Sequence, residues 1–280
     1  MKKYLFFLLL LITFSCSDQL GLNEIQVECS NVISNSELQT LLDKAKWGDG
    51  KAYLQLADCY RDGKGVKSDF ISMLSMASLA NDYSDNNLMD AYLDSLPDDS
   101  EYKLLVDCIR YIDHNQMTEA LPLIELAISN GSSDGYAIKG IAILTGGDSL
   151  EAKRLFELAA EKGSNLAELL LCIPDWRGAK KLSIEKLAAL TDRIPWACNI
   201  LADMYTGMEG KEVVDEQMAA YYYLKADNYA CLTKLGARWL YNYMDRGAEL
   251  NLSSTDKERI QILSGLDVTE IVDTVVYNKH

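Results

Sequence analysis

The chain has 280 residues, of which 49% are hydrophobic and 25% charged, a composition typical of a globular protein with a packed core. Its formal net charge of −15 argues against a nucleic-acid partner, because phosphate contacts need clustered lysine and arginine. After the N-terminus there is no run of 18 apolar residues, so we expect no second membrane segment.

The N-terminus has the pattern of an export signal. Two lysines precede an apolar run over residues 4–14, which is shorter than the roughly 20 residues that span a bilayer. Ser15, a small residue, stands directly before Cys16, and this resembles the lipobox that is cleaved before a lipid-accepting cysteine. Thr13 departs from the commonest lipobox, which has leucine at that position, and the looser form is similar to Bacteroidetes-type lipoproteins. A plain cleaved signal and an uncleaved anchor are the alternatives.

Residues 52–81 have the pattern of two short helices joined by a glycine turn. Small or apolar side chains recur with helical spacing, and two glycines then end the first helix. Ser68 or Asp69 can accept the first free N–H groups of the second helix, which we expect to run to about Asn81. The residues that define this pattern are Ala52, Leu56, Ala57, Tyr60, Gly63, Gly65 and Asp69.

The same register returns along the chain. The second-helix pattern occurs at 116–131 and at 148–163, and Gly140 falls on the position of Ala57. Cys231 begins another first helix, at the position of Ala52. A full helix pair follows the same spacing at Ala197, Leu201, Ala202 and Tyr205, then, after Asp215, at Ala219, Tyr223 and Ala226.

This pattern resembles the Sel1-like repeat, a relative of the tetratricopeptide repeat. Residues 52–81 match it best, whereas 135–163 lack the Gly-Val turn and 197–226 carry an insertion around 208–214. The resemblance implies an all-α fold: a right-handed α-solenoid of antiparallel helix pairs with a concave surface for proteins or peptides. We expect one degenerate unit at 164–192, and either a strand or a capping helix at 268–277.

The domain organisation follows from the signal and the repeat. We expect a lipoprotein signal peptide at 1–15, a lipid-anchored tether at 16–34 and the repeat domain at 35–280, with a C-terminal cap from about 245. Lipidation of Cys16 by diacylglycerol and acyl groups such as palmitate would hold the mature chain on a bacterial membrane, since each buried methylene contributes about 0.8 kcal/mol. The expected location is the outer membrane, on its periplasmic or surface face.

Residues with catalytic or metal-binding chemistry are few. The chain has only two histidines, His114 and His280, and lacks CxxC, GxSxG, HExxH and P-loop motifs, so we expect no catalytic residue, no metal and no cofactor beyond the lipid. Six cysteines besides Cys16 do not follow the repeat spacing. That spacing favours buried free thiols, with disulfides as the alternative.

Aromatic residues suggest where a partner could bind. Tyr221, Tyr222 and Tyr223 span nearly a full helical turn, so Tyr221 or Tyr222 should be partly exposed, with Trp239 on the next helix. Tyrosine and tryptophan often anchor interfaces, although they equally fill wide gaps between helices. We expect a noncatalytic, membrane-anchored adaptor for a protein or peptide. The alternative is a glycan- or nutrient-binding lipoprotein similar in spirit to the helical-repeat SusD-like proteins.

Overall fold

The computed structural model describes residues 36–84, 87–172, 184–206 and 215–265. Cys16, the expected tether, the 208–214 insertion and the 268–277 segment lie outside these ranges. Every regular element in the described ranges is an α-helix: α1 (Ser36–Ala45), α2 (Gly50–Asp62), α3 (Phe70–Asp82), α4 (Leu88–Asp94), α5 (Glu101–Asp113), α6 (Met117–Ser129), α7 (Ser133–Thr145), α8 (Ser149–Glu161), α9 (Asn165–Leu170), α10 (Ile184–Leu190), α11 (Trp196–Thr206), α12 (Glu216–Asn228), α13 (Lys234–Asp245) and α14 (Ser254–Ser264).

Short polar side chains start many of these helices. Asp69 accepts a hydrogen bond from the backbone N–H of Ser72 at the start of α3, and Asp215 accepts from Gln217 and Met218 at the start of α12. These bonds satisfy N–H groups that have no partner within the helix. Gly63 ends α2 in the left-handed region, at φ 69°, where a side chain would be strained.

Five pairs of consecutive helices form the scaffold: α2–α3, α5–α6, α7–α8, α11–α12 and α13–α14. Neighbouring pairs pack on one another, as α6 packs on α7 and α12 on α13. One continuous apolar core runs through the pairs. The predicted all-α fold of stacked helix pairs is therefore confirmed. The longest described helices have 13 residues, and no helix within the described ranges meets the length and apolarity needed to cross a bilayer.

The helix pairs approach most closely where the repeat has a small residue. At Gly140 in α7, an added Cβ would lie 2.5 Å from Cε1 of Phe156 in α8. At Gly236 in α13, an added Cβ would lie 2.6 Å from Cδ1 of Tyr223 in α12. In both places an aromatic ring fills the space that a side chain would otherwise need. These two glycines are therefore packing residues.

The two ends of the described chain meet. Arg259 of α14 pairs through both of its terminal nitrogens with the carboxylate of Asp227 in α12, at 2.5 and 2.6 Å, and both residues are buried. Arg259 also donates to the carbonyl oxygen of Lys46 in the α1–α2 turn, at 3.4 Å. Tyr83, after α3, donates to the carbonyl oxygen of Leu232 at 2.8 Å. The repeat stack thus closes on itself, which the sequence pattern did not predict.

Helices α9 and α10 occupy the region where we expected a degenerate unit. The short helix α9 packs on α8 and α7 of its own region and on α3. Asn165, its first residue, donates to Asp69 at 3.0 Å, so α9 links the N-terminal pair to the middle of the chain. Glu168 pairs with Arg193, which follows α10.

Candidate partner-binding surface

The three consecutive tyrosines of α12 have different environments. Tyr221 is half-buried, Tyr222 is 7% exposed and Tyr223 is fully buried. The ring of Tyr222 stacks on that of Tyr205 in α11, with centroids 5.9 Å apart, and burial raises its pKa. The expectation that Tyr221 or Tyr222 is partly exposed is therefore met by Tyr221, whereas Tyr222 is too buried to be an exposed partner contact. Because α12 packs between α11 and α13, more than one of its faces is covered.

Trp239 belongs to a separate aromatic cluster. Its ring lies 5.5 Å from that of Tyr223 and stacks on that of Tyr243 at 4.9 Å. Tyr221 instead makes an edge contact with Tyr222, at 5.0 Å. The structure therefore distributes Tyr221, Tyr222 and Trp239 over two clusters and leaves no single exposed platform among them.

The residues predicted to pack the repeat lie in the interior or at its turns. Tyr60 is half-buried and Gly65 is in the turn at φ 72°, while Asp69 and Asp215 begin second helices. Tyr223 donates to Asp203 at 2.6 Å. The fully or almost fully buried members are Ala52, Leu56, Ala57, Ala197, Leu201, Ala202, Tyr205, Ala219, Tyr223 and Ala226.

Large apolar side chains remain exposed on the outer faces of α6 and α8. In α6 the buried stripe consists of Ala120, Ile124 and Ala127. Leu121 and Leu126 lie off this stripe and are exposed, as is Leu150 near the start of α8. These leucines lie outside the residues predicted from the sequence. The sequence feature that could have indicated them is leucine at positions of α6 and α8 where the repeat does not require an apolar side chain.

A second surface feature lies on the turn between α1 and α2. A shallow recess of about 420 Å³ is lined by Thr40, Asp43, Lys44, Trp47 and Asp49, and we call it the Trp47 recess. Trp47 is 46% exposed, unlike Trp196, which is buried in α11. Trp47 also lies outside the residues predicted from the sequence, although a tryptophan among polar residues between two helices could have indicated it.

Polar side chains join neighbouring helices in the interior. Ser164 donates to Asp134 at 2.5 Å, and the adjacent Asn165 bonds to Asp69. Burial raises the pKa of Asp134 to about 7, an effect that the hydrogen bond from Ser164 only partly opposes. Burial also raises the pKa of Asp69. This cluster connects α3, α7 and α9.

The cysteines in the described ranges are free thiols. Cys59 is half-buried, whereas Cys108, Cys172, Cys198 and Cys231 are buried. Burial raises the pKa of Cys108 and of Cys198 to about 12. Thiols held in the protonated form are poor nucleophiles, so these side chains serve the core.

The described residues include one histidine, His114. His114 is exposed, and its Nδ1 lies 2.7 Å from the carbonyl oxygen of Arg110 one turn earlier. No group of three or more metal-ligating side chains occurs among the residues that the structure describes.

The comparisons with known proteins concern the fold alone. Neither a family model nor a curated protein sequence matches the chain significantly. The chain is similar to the crystal structure of a protective antigen of uropathogenic Escherichia coli strains that displays an SLR fold. The two sequences are 20% identical, the match covers 82% of this chain and 49% of that chain, and the TM-score is 0.41. The chain thus spans about half the length of that antigen. It is also similar to a Sel1 repeat protein from Oxalobacter formigenes, with 16% identity, 84% and 99% coverage, and a TM-score of 0.40.

Proposed function

We propose that this protein is a noncatalytic adaptor that binds a protein or peptide while a lipid on Cys16 holds it to a bacterial membrane. The observation that carries the binding function is the contrast between the interior and the surface. Thiols, tyrosines and carboxylates inside are committed to helix packing and internal hydrogen bonds, whereas Leu121, Leu126 and Leu150 face solvent. Apolar side chains on the outer faces of rigid helices are suited to contact with another protein.

The chemistry of the partner follows from these exposed side chains. Leucine side chains favour a partner with apolar pockets, and the chain's negative charge favours lysine or arginine around them. The anchor proposal rests on the sequence at residues 4–16, and its outer-membrane location is part of the proposal.

The binding function can be tested by photo-crosslinking in native membranes. A crosslinker at Leu121 or Leu126 of the full-length lipoprotein is expected to trap one protein of defined mass. Lys257, exposed on α14, provides a polar control position outside α6 and α8. Replacing the other leucine with serine should abolish the adduct without changing the melting temperature. Uniform labelling at all three positions would contradict the proposal.

The anchor needs a separate test. Replacing Cys16 with alanine is expected to move the protein from the membrane fraction to the soluble fraction and to abolish incorporation of labelled fatty acid. The variant should keep the helical content of the wild type, because the described helices begin at Ser36. Undiminished acyl labelling of the variant would refute lipidation at this residue.

A further inference from the structure

The Trp47 recess combines an indole that is 46% exposed with polar side chains on a fixed backbone. The backbone N–H of Trp47 donates to the carbonyl oxygen of Lys44 at 3.0 Å, and the backbone N–H of Gly48 donates to the carbonyl oxygen of Ala45 at 2.8 Å. On the other side, Arg259 holds the carbonyl oxygen of Lys46 while its guanidinium is fixed by buried Asp227. The recess therefore exists before any ligand arrives, which lowers the entropy cost of binding.

The charges around the indole are of both signs. Asp43 and Asp49 lie in the same recess as Lys44, so an anionic ligand would meet two carboxylates and a cationic ligand would meet an ammonium group. The carboxylates already accept hydrogen bonds within the protein: Asp43 from Gln39 at 3.0 Å, and Asp49 from the N–H of Lys51 at 2.9 Å. Their attraction for a cation is reduced accordingly. The recess favours a neutral ligand.

The indole and the polar side chains around it indicate the shape and polarity of the ligand. A half-exposed indole offers a flat apolar face, and the side chains around it can both donate and accept hydrogen bonds. A pyranose ring matches this set, because one face carries C–H groups and its edge carries hydroxyls. The volume of about 420 Å³ lies within the range of roughly 300–1,000 Å³ that is usual for small-molecule sites.

We propose that the Trp47 recess binds a neutral sugar residue of a glycan chain. The C–H face of the ring stacks on Trp47, its hydroxyls donate to Asp43 and Asp49, and Lys44 donates to ring or hydroxyl oxygens. The hydroxyl of Thr40 already donates to the carbonyl oxygen of Ser36 at 2.9 Å, so its oxygen accepts from a sugar hydroxyl. The recess is shallow and open to solvent, so it holds one part of a longer glycan, and the rest of the chain extends away from it. This site does not depend on the adaptor surface of α6 and α8.

The probe experiment uses the full mature chain and saturation-transfer NMR with maltoheptaose, laminarihexaose, mannohexaose and chitohexaose. We expect at least one of these neutral oligosaccharides to receive saturation. Trp47→Ala should weaken its affinity at least tenfold, and Trp47→Phe should retain part of the binding because a smaller ring remains. Leu235→Ala is the matched control, since Leu235 is 51% exposed on α13, and it should bind as the wild type does.

Several outcomes would overturn the proposal. One is the absence of saturation transfer to all four oligosaccharides, and another is equal binding by Trp47→Ala and the wild type. A third is Trp47-dependent binding of hexalysine with no binding of the sugars, which would assign the recess to cationic side chains. Circular dichroism melting of each variant separates loss of binding from loss of fold, and we expect little change because Trp47 lies on the surface.

Discussion

The pairs α2–α3 and α7–α8 follow the same repeat but make their closest contact in different ways. In α2 the contact position holds Ala57, which is fully buried, and the equivalent position in α7 holds Gly140. The eighth residue after the aspartate that caps each second helix is Ala77 in α3 and Phe156 in α8. The two equivalent positions therefore hold two buried alanines in one pair, whereas in the other pair a glycine faces an aromatic ring.

This difference shows what a helical repeat preserves. The two pairs share spacing and helix caps, while the volume at the contact is divided differently between the two helices. Close packing requires the summed volume to fit, and it does not fix the size of either residue alone. The α12–α13 contact makes the same point, because the ring of Tyr223 covers Gly236 of the following pair. Each prediction below changes one side of this comparison.

The largest effect is expected from Phe156→Ala. Phe156 is fully buried, and its removal would leave a cavity beside Gly140, where no Cβ can fill the space. The free energy of unfolding should fall by about 3–5 kcal/mol. Urea denaturation measures this directly. A loss below about 1 kcal/mol would mean that α7 and α8 collapse into the cavity, and the contact would then not be fixed by the stack.

Overpacking the alanine contacts is expected to have the next largest effect. Leucine in place of Ala57 or Ala202 would add three carbon atoms at positions that are 0% exposed. Each variant should lose about 1–3 kcal/mol of stability. The melting temperature of Ala57→Leu and Ala202→Leu reports the cost in two separate pairs. Unchanged melting of either variant would contradict the register assigned to that pair.

Gly140→Ala is expected to change the free energy of unfolding by a smaller amount, and the direction of the change tests the close contact. Replacing glycine by alanine within a helix normally stabilises it by about 1 kcal/mol. Here the new Cβ would lie 2.5 Å from the ring of Phe156, and overpacking costs about 1–3 kcal/mol. We expect a net destabilisation of about 1 kcal/mol, relieved in the double variant Gly140→Ala/Phe156→Leu. A single variant more stable than the wild type would disprove the close contact.

The smallest effect concerns the polar link between the two pairs. The pKa of Asp134 is raised to about 7 in the folded protein, against about 3.9 in the unfolded chain. Its contribution to stability is therefore fully present below pH 4 and is lost as the pH rises through 7. Asp134→Asn keeps an oxygen that can accept from Ser164 and removes the ionisation. Between pH 6 and pH 7 the wild type should lose about 1 kcal/mol more stability than this variant. Parallel pH profiles from urea denaturation would refute the role of Asp134.

Helix positions and caps were largely predictable from the sequence, because they depend on neighbours within one turn. Glycine at 63 and 65 and aspartate at 69 and 215 act on the nearest backbone groups, and the structure has α2, α3 and α12 where these residues predict them. Pro97 likewise lies between helices, since α4 ends at Asp94 and α5 begins at Glu101.

The candidate surface was less predictable. Whether Tyr221 or Tyr222 faces solvent depends on how many faces of α12 are covered, and a single helix does not contain that information. Tyr205 of α11 covers Tyr222, and α13 covers Tyr223. Trp47 shows the opposite case, since this large apolar residue in a turn is 46% exposed among the residues that the structure describes.

The sequence by itself determined the all-α class, the register of the helix pairs and most of their boundaries, since helical period, caps and glycine turns are local properties. The tertiary structure alone decided that α14 closes onto the α1–α2 turn through Arg259 and Asp227, and that α9 links α3 to α7. These contacts join residues up to 213 positions apart. Their formation depends on the accumulated geometry of the whole stack, because each pair adds its own small rotation before the two ends meet.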